Sequence, residues 1–188
     1  MNFLSVFVGL FIANEYKVYW LNSGFAPGEK FLATVGAVGS VCNGMRFFWA
    51  ALLDKFSYRS IYGVLLGLQI SLGFTFPFII QNKSCVAIWV CLGFFCLGGH
   101  FSMLPNEVKK VFGPHSTELY TYMFSMAGLT GLAEGLFQIF LITNTNLNVF
   151  FYVYSAMSCV SLLILVVFYK GTVYIKPTLM QSWLARSP

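Results

Sequence analysis

The chain has 188 residues, of which 58% are hydrophobic and only 9% are charged, whereas soluble domains carry roughly 25% charged residues. A soluble globule of this size cannot cover its surface with so few charges. The composition therefore excludes an ordinary cytosolic domain, a disordered chain and a disulfide-rich secreted module, and it predicts an all-α protein of the lipid bilayer. The net charge of +5 comes from basic residues that are scattered singly, which argues against a nucleic-acid partner.

Six segments are long and apolar enough to cross a bilayer core about 30 Å thick, which needs about 20 apolar residues in a helix. In chain order they are Asn2–Leu21, Phe31–Leu53, Ser60–Ile80, Cys85–Leu104, Tyr120–Ile142 and Val149–Tyr169. The segments between them carry the glycine, proline, asparagine and serine expected of loops, and the longest runs from Pro105 to Leu119. We therefore expect a six-helix transmembrane domain over residues 1–169 and a cytoplasmic tail over residues 170–188.

Basic residues in the loops predict the orientation of the six spans, because cytoplasmic loops carry an excess of lysine and arginine. One side of the membrane receives seven basic residues and the other receives two. The seven are Lys55, Arg59, Lys109, Lys110, Lys170, Lys176 and Arg186, and the two are Lys30 and Lys83. Both termini are therefore expected in the cytoplasm. The first span begins at Met1 with no loop before it, which favours a chain whose natural start lies upstream.

Enzymatic and metal chemistry find no support in the sequence. The five cysteines form no C-x-x-C pair, and the two histidines are His100 and His115, so the ligand set of a structural zinc site is missing. Motifs of metalloproteases and serine hydrolases are absent as well. We expect no metal, no cofactor and no enzymatic activity, with the cysteines acting as small buried hydrophobic residues.

Arg46 is the strongest candidate for a functional residue, since a charge inside a membrane span is costly and marks a functional site by default. It lies eight residues before Asp54, which is about 12 Å deeper along the helix, and Asn43 is one turn away on the same face. If Arg46 faces a polar cavity, its guanidinium offers two parallel hydrogen bonds to a carboxylate. The alternatives are a side chain that reaches back to the interface and an ion pair with Glu134 or Asp54.

Glu134 lies in the middle of the fifth span, where a carboxylate is either paired or protonated. It is a candidate to carry a coupled proton, and the alternative is a structural partner for Arg46 or Lys17. Glu15 and Lys17 are two residues apart and therefore point to different faces of the first span, so that one can line a cavity while the other reaches the interface. His100, near the end of the fourth span, is expected to be a structural histidine with satisfied hydrogen bonds.

Two stretches of the sequence resemble motifs of a known family. They are Asn43 to Arg59, which ends in the acidic–basic loop of Asp54, Lys55 and Arg59, and Leu97 to Pro105, which is followed by Val111-Phe112-Gly113 and Tyr120. The first resembles the short cytoplasmic motif of the major facilitator superfamily in its second-half copy. The Asn-Gly-x-Arg-Phe-x-Trp and Gly-Gly-x-Phe-x-x-x-Pro patterns resemble the oxalate/formate antiporter and monocarboxylate-porter branch.

The resemblance implies the carboxy-terminal six-helix half of a twelve-helix transporter, built as a 3+3 inverted repeat. It implies that Arg46 binds a substrate carboxylate with Asn43 beside it, and that Asp54, Lys55 and Arg59 form a gating loop. Oxalate-transporting members carry a lysine where this chain has Ala127, so a monocarboxylate, or an amino acid with its own cation, fits the charges better than a dianion. It also implies an amino-terminal six-helix half as a partner, since a lone half leaves its cavity-facing groups exposed to lipid.

Three functions remain open on this evidence. The first is secondary transport of a small organic anion such as a monocarboxylate, by alternating access. The second is transport of an amino acid or another small solute by a protein of the same superfamily. The third is a six-helix fragment or scaffold that only packs with partners and transports nothing.

Overall fold

The computed structural model describes residues 2–24, 28–141 and 147–169. In these ranges the regular structure is entirely helical, with seven α-helices and one short 3₁₀ turn. The helices are α1 (Asn2–Asn22), α2 (Glu29–Gly44), α3 (Arg46–Lys55), α4 (Tyr58–Ile79), α5 (Lys83–Phe112), α6 (Ser116–Leu141) and α7 (Leu147–Phe168). The 3₁₀ turn, Gly113–His115, joins α5 to α6. The predicted tail over residues 170–188 lies outside the described residues.

The helix boundaries follow local signals. Ser57 caps α4, because its hydroxyl accepts a hydrogen bond from the backbone N–H of Ser60 at 3.2 Å. Asn82 caps α5 in the same way, accepting from the N–H groups of Ser84 and Cys85 at 3.0 and 3.3 Å. Serine and asparagine are preferred at this position because they satisfy donors that the first helical turn leaves unpaired.

The end of α5 corrects the sequence analysis. The segment from Pro105 to Leu119 was expected to be a loop, but the helix continues through Pro105 to Phe112. A proline removes one backbone hydrogen bond, yet Leu104 and Val108 around it are buried, and their packing holds the helix together. The helix stops instead at Gly113, whose φ of 55° lies in the left-handed region that favours glycine.

Four helical segments in the described ranges are long and apolar enough to cross a membrane: Glu29–Lys55, Tyr58–Ile79, Lys83–Phe112 and Asn148–Phe168. The first of them comprises α2 and α3, which are separated only by Met45. These segments make the chain an integral, multi-pass, all-helical membrane protein. Helices α1 and α6 are of similar length, and they carry the charged residues Glu15, Lys17 and Glu134.

The bundle has two apolar cores. The larger one surrounds α1, where the ring of Phe11 lies 4.9 Å from that of Phe151 on α7 and 5.5 Å from that of Phe150. The smaller one joins α3, α4 and α5 around the buried side chains of Trp49 and Leu65. Helix α2 packs against α5 and α4 packs against α7, while α1 contacts α4, α5, α6 and α7.

The two ends of the bundle are defined by its short connections. We call the end that holds Asn22 and Glu29 the α1–α2 end, and the end that holds Lys55 and Tyr58 the α3–α4 end. Among the four candidate spans, that of α2 and α3 is the least covered: 17% of its apolar stretch is buried, against 44% for α4 and α5. It therefore presents most of its length on one open face of the bundle, and that face carries the candidate site.

Candidate functional site

The candidate site lies where the span of α2 and α3 is broken. Helix α2 ends at Gly44, and Met45 has a ψ of 32°, which is not helical. The backbone N–H of Phe48 then bonds to the carbonyl of Met45 at 3.1 Å, an i→i−3 bond that tightens the chain at the start of α3. Met45, the residue before α3, provides no side-chain cap, so backbone N–H groups at this helix N-terminus are open to an anion.

Arg46 is the first residue of α3, and its side chain is exposed. Its Nε donates to the backbone carbonyl of Asn43 at 3.3 Å. The guanidinium carbon lies 5.4 Å from the centroid of the Phe101 ring on α5, a distance at which a cation is attracted to an aromatic face. These contacts orient the guanidinium and use only Nε. Among the described residues, the two Nη groups have no partner, so both are available to a carboxylate.

The break also brings α2 close to α5. A Cβ placed on Gly98 would lie 2.5 Å from the carbonyl oxygen of Asn43 and 3.0 Å from its side-chain oxygen. Only a glycine allows this approach. The side-chain Oδ1 of Asn43 is buried and has no hydrogen-bond partner within the part of the chain that the structure describes. Asn43 thus brings an unused acceptor to the same place as the unused donors of Arg46.

Glu134 is buried on α6, with 1% of its surface exposed. The side-chain amide nitrogen of Asn14 on α1 lies 3.5 and 3.4 Å from its two carboxylate oxygens. Arg46 and Glu134 do not contact each other, since the described contacts of Arg46 are those with Asn43 and Phe101. The expected alternatives of an ion pair between Arg46 and either Glu134 or Asp54 therefore do not appear in the described part of the chain.

Glu15 and Lys17 lie on different faces of α1, as their spacing predicted. Glu15 is partly buried, whereas Lys17 is exposed and lines a groove of about 500 Å³ between α1, α2 and α5. The ammonium of Lys17 lies 5.8 Å from the centroid of the Tyr16 ring. The groove is separate from the surroundings of Arg46, and Lys17 is the residue of the pair that lines it.

The predicted gating loop forms the α3–α4 end of the bundle. Asp54 and Lys55 are exposed at the end of α3. Arg59 donates to the carbonyl of Val166 near the end of α7 at 2.7 Å. Lys110 donates to the carbonyl of Leu53 at 3.0 Å. Cations favour helix C-termini, where carbonyl groups lack intrahelical partners, so Arg59 and Lys110 tie α4 to α7 and α5 to α3.

His100 belongs to a buried network that sequence analysis did not foresee. Its Nε2 lies 2.7 Å from the side-chain oxygen of Gln69, and its Nδ1 lies 3.2 Å from the hydroxyl of Tyr62. That hydroxyl is 2.8 Å from the hydroxyl of Ser5, and the amide nitrogen of Gln69 donates to the carbonyl of Ser5. The network joins α1, α4 and α5. His100 is satisfied, as expected, but it lies inside a helix rather than near its end.

The directions of these bonds can be assigned from the donors. Since the amide nitrogen of Gln69 donates to Ser5, the oxygen of Gln69 must accept, and His100 Nε2 carries the proton. The bare Nδ1 of His100 then accepts from Tyr62. All the side chains concerned are at most 1% exposed. A neutral histidine completes this network, so it serves to hold three helices together. No group of residues suited to a metal ion occurs in the described ranges.

Comparison with known proteins returns a similar carrier. The chain is 40% identical over 103 residues to apicoplast pyruvate carrier 1 of Toxoplasma gondii. The match covers 51% of this chain and only 18% of that relative, so it spans less than a fifth of the relative's length. That protein is named as a carrier, which is a transporter and not an enzyme. No protein-family model matches this chain.

These findings correct the placement in the major facilitator superfamily, in its oxalate/formate branch and as a carboxy-terminal half. The similar protein is named for pyruvate, and no family model supports the placement. The residues that suggested it have local explanations: Gly98 permits the contact with Asn43, and Arg59 ties two helix ends together. Tight packing and short loops select such residues, so they do not identify a family. The missing amino-terminal half rested on the same resemblance and is dropped with it.

Proposed function

We propose that the protein carries a small monocarboxylate across a membrane, and that Arg46 binds the carboxylate. The observation that carries this proposal is the position of Arg46 at a helix break, with two free Nη groups beside the uncapped N-terminus of α3. Both features favour an anion: the guanidinium matches a carboxylate with two parallel bonds, and the helix N-terminus adds backbone donors and partial positive charge.

Pyruvate is the first substrate to test. It is a monocarboxylate, so one guanidinium balances its charge. The 40% identity to a protein named as a pyruvate carrier supports the choice. Asn43 completes the proposed site, because its unpartnered oxygen can accept a hydrogen bond from a water or hydroxyl bound next to the substrate.

For the membrane topology we propose six spans, with α2 and α3 forming one, and both termini in the cytoplasm. We also propose that two triplets of spans, α1 to α4 and α5 to α7, form a 3+3 inverted repeat. The packing supports this relation: exchanging the triplets maps the α2–α5 contact onto α6–α1 and the α4–α5 contact onto α7–α1, and all four pairs are in contact. In this arrangement Asp54, Lys55 and Arg59 form a gate on the cytoplasmic side.

For Glu134 we propose the role of a coupling residue that carries a proton with the substrate. Its burial and its contacts with the side-chain amide of Asn14 at 3.4 and 3.5 Å support this, since a buried carboxylate in a membrane span marks a functional site by default. Asn14 can keep contact with Glu134 in both protonation states, because an amide offers a donor and an acceptor.

The test is uptake of labelled pyruvate by proteoliposomes that contain the full chain. We expect Arg46→Lys to reduce uptake severely, because a lysine keeps the charge but loses the planar fork, and Arg46→Gln to abolish it. Lys109→Gln is the control: Lys109 is exposed at the end of α5, away from the break, and its loss should leave uptake unchanged. Thermal unfolding of each variant separates loss of function from loss of fold.

The outcomes distinguish the remaining functions. Equal uptake by the Arg46 variants and the unaltered chain would contradict the role of Arg46. Uptake of alanine in place of pyruvate would indicate an amino-acid porter, and no uptake of either by the folded, unaltered chain would favour a scaffold. In the same assay, Glu134→Gln should abolish accumulation driven by a pH gradient while exchange persists. If both are lost together with thermal stability, Glu134 is a structural partner of Asn14.

A further inference from the structure

We propose that the groove between α1, α2 and α5 is a second carboxylate-binding site, in which Lys17 provides the positive charge. This proposal rests on the proposed transport of a monocarboxylate and adds a station to its path. The groove lies towards the α1–α2 end of the bundle and has a volume of about 500 Å³, within the range of roughly 300–1,000 Å³ typical of small-molecule sites. Its lining residues are Ala13, Asn14, Tyr16, Lys17, Ala33, Gly36, Ala37, Ser40 and Phe94.

Lys17 brings to the groove a positive charge that no carboxylate of the described residues balances. A lysine within a span usually has a carboxylate partner, but in the described ranges the only contact of the ammonium is the ring of Tyr16 at 5.8 Å. Glu15 is two residues away, which places it on a different face of the helix, and it forms no ion pair there. The groove therefore contains a positive charge that no described side chain neutralises, and a bound anion would neutralise it.

Over the described residues, the lining of the groove combines one free cation with an apolar wall. Two of the polar side chains are already engaged: the hydroxyl of Tyr16 donates to the carbonyl of Leu32 at 3.0 Å, and that of Ser40 donates to the carbonyl of Gly36 at 2.9 Å. Lys17 thus remains the main donor in the groove, with three N–H bonds. Besides Asn14, the rest of the lining is apolar and consists of alanines, Gly36 and the ring of Phe94. One cation beside an apolar wall suits a short aliphatic carboxylate.

The side chain of Asn14 connects the groove to Glu134. Asn14 lines the groove and also holds the buried carboxylate of Glu134 through its side-chain amide. A carboxylate bound at Lys17 would compete with Glu134 for this amide. Filling the groove therefore changes the hydrogen bonding of Glu134 through a single side chain, and this contact would couple substrate binding to the protonation of Glu134.

The groove and the Arg46 site lie in series along one span. Ser40 is the lining residue of α2 nearest to the break, and it precedes Arg46 by six residues, which corresponds to about 9 Å of helix rise. A carboxylate entering from the α1–α2 end would meet Lys17 before Arg46. Two weak sites in sequence allow a substrate to enter and to leave.

The experiment compares Lys17→Gln with Lys30→Gln in uptake of labelled pyruvate by proteoliposomes. Both variants remove one lysine near the α1–α2 end, but Lys30 does not line the groove. We expect Lys17→Gln to raise the KM about tenfold, consistent with loss of a charged hydrogen bond, with little change in the maximal rate. Lys17→Arg should restore most of the affinity, and Lys30→Gln should leave the KM unchanged. Equal effects of Lys17→Gln and Lys30→Gln would overturn the proposal.

A binding measurement separates this proposal from the proposed function. Ala37→Cys is introduced into the full chain with Lys17 retained, and pyruvate should slow its reaction with a thiol reagent, measured against the chain without Ala37→Cys; adding Lys17→Gln should remove this protection. The same protection is expected when Arg46→Gln has abolished transport. With Arg46 intact, protection without transport supports the groove and contradicts the function. Transport by the unaltered chain without protection overturns the groove and leaves the function standing.

Discussion

The span of α2 and α3 is broken and helix α4 is continuous, although their prolines suggest the opposite. Helix α4 contains Pro77 and α5 contains Pro105, yet both are continuous. The span of α2 and α3 contains no proline in its helices, but it breaks at Met45. The break combines local and tertiary causes: Gly44 favours helix weakly, the freed carbonyl of Asn43 accepts from Arg46, and the break lies against Gly98 on α5.

The polar groups of α4 and those at the break between α2 and α3 are also used differently. On α4, the side chains of Tyr62 and Gln69 bond within the bundle to α1 and α5. At the break, the Nη groups of Arg46 and the Oδ1 of Asn43 lack partners among the described residues. A satisfied buried network fixes a structure, whereas the unused donors of the exposed Arg46 are ready for a ligand. The chain thus contains a buried network around His100, which holds helices together, and a break at Arg46, which can bind a ligand.

The largest expected effect comes from a change in the buried network of His100. His100→Leu removes both ring nitrogens, so that the buried oxygen of Gln69 loses its donor and Tyr62 loses an acceptor. We expect unfolding to become easier by about 3 kcal/mol, since an unsatisfied buried polar group costs about 1–3 kcal/mol and a lost hydrogen bond about 1 kcal/mol. The measurement is thermal unfolding of the full chain in nanodiscs.

Ser125→Leu is the control outside the buried network of His100. Ser125 is exposed on α6, and its hydroxyl bonds only to the carbonyl of Thr121 in its own helix. The change should leave the unfolding temperature nearly unaltered. If His100→Leu and Ser125→Leu shift the unfolding temperature equally, the buried network of His100 does not stabilise the fold more than an exposed position does.

Membrane class and the location of most helical segments could be predicted from the sequence, because a bilayer demands long apolar stretches. The break at Met45 could not, since Gly44 and Asn43 are common in spans and the contact that matters is made by Gly98, more than fifty residues away. The candidate residues Arg46 and Glu134 stood out as charges at depth. Their partners did not, because neither Phe101 nor Asn14 carries a sequence signal.

A smaller effect on stability is expected where α5 contacts α2 at the break. Gly98→Ala places a Cβ 2.5 Å from the carbonyl oxygen of Asn43, so α2 and α5 must separate at the break. Overpacking of this kind costs about 2 kcal/mol, and the displacement of Asn43 should also reduce pyruvate uptake. Gly128→Ala on α6 is the matched control, since nothing lies within 4 Å of its Cβ. Equal unfolding temperatures for the two variants would contradict the close contact.

The smallest effect on stability should carry the most information about mechanism. Gly44 ends α2 just before the break, its φ is not positive, and a Cβ there would meet nothing within 4 Å. Gly44→Ala therefore fits without a clash and should stabilise the chain slightly, by about 0.5–1 kcal/mol, because alanine favours helix more than glycine does.

If the break moves during transport, stiffening it should lower the maximal rate of pyruvate uptake although stability rises, and the KM should change little because Arg46 is untouched. Gly67→Ala provides the control in the continuous helix α4: its Cβ also meets nothing within 4 Å, so it gains the same helix propensity with no break to stiffen. We expect its uptake to equal that of the unaltered chain. An unchanged maximal rate for Gly44→Ala would mean that the break is a fixed binding geometry, whereas a rate lowered equally by both alanines would mean that rigidity of the whole bundle, and not of the break, limits transport.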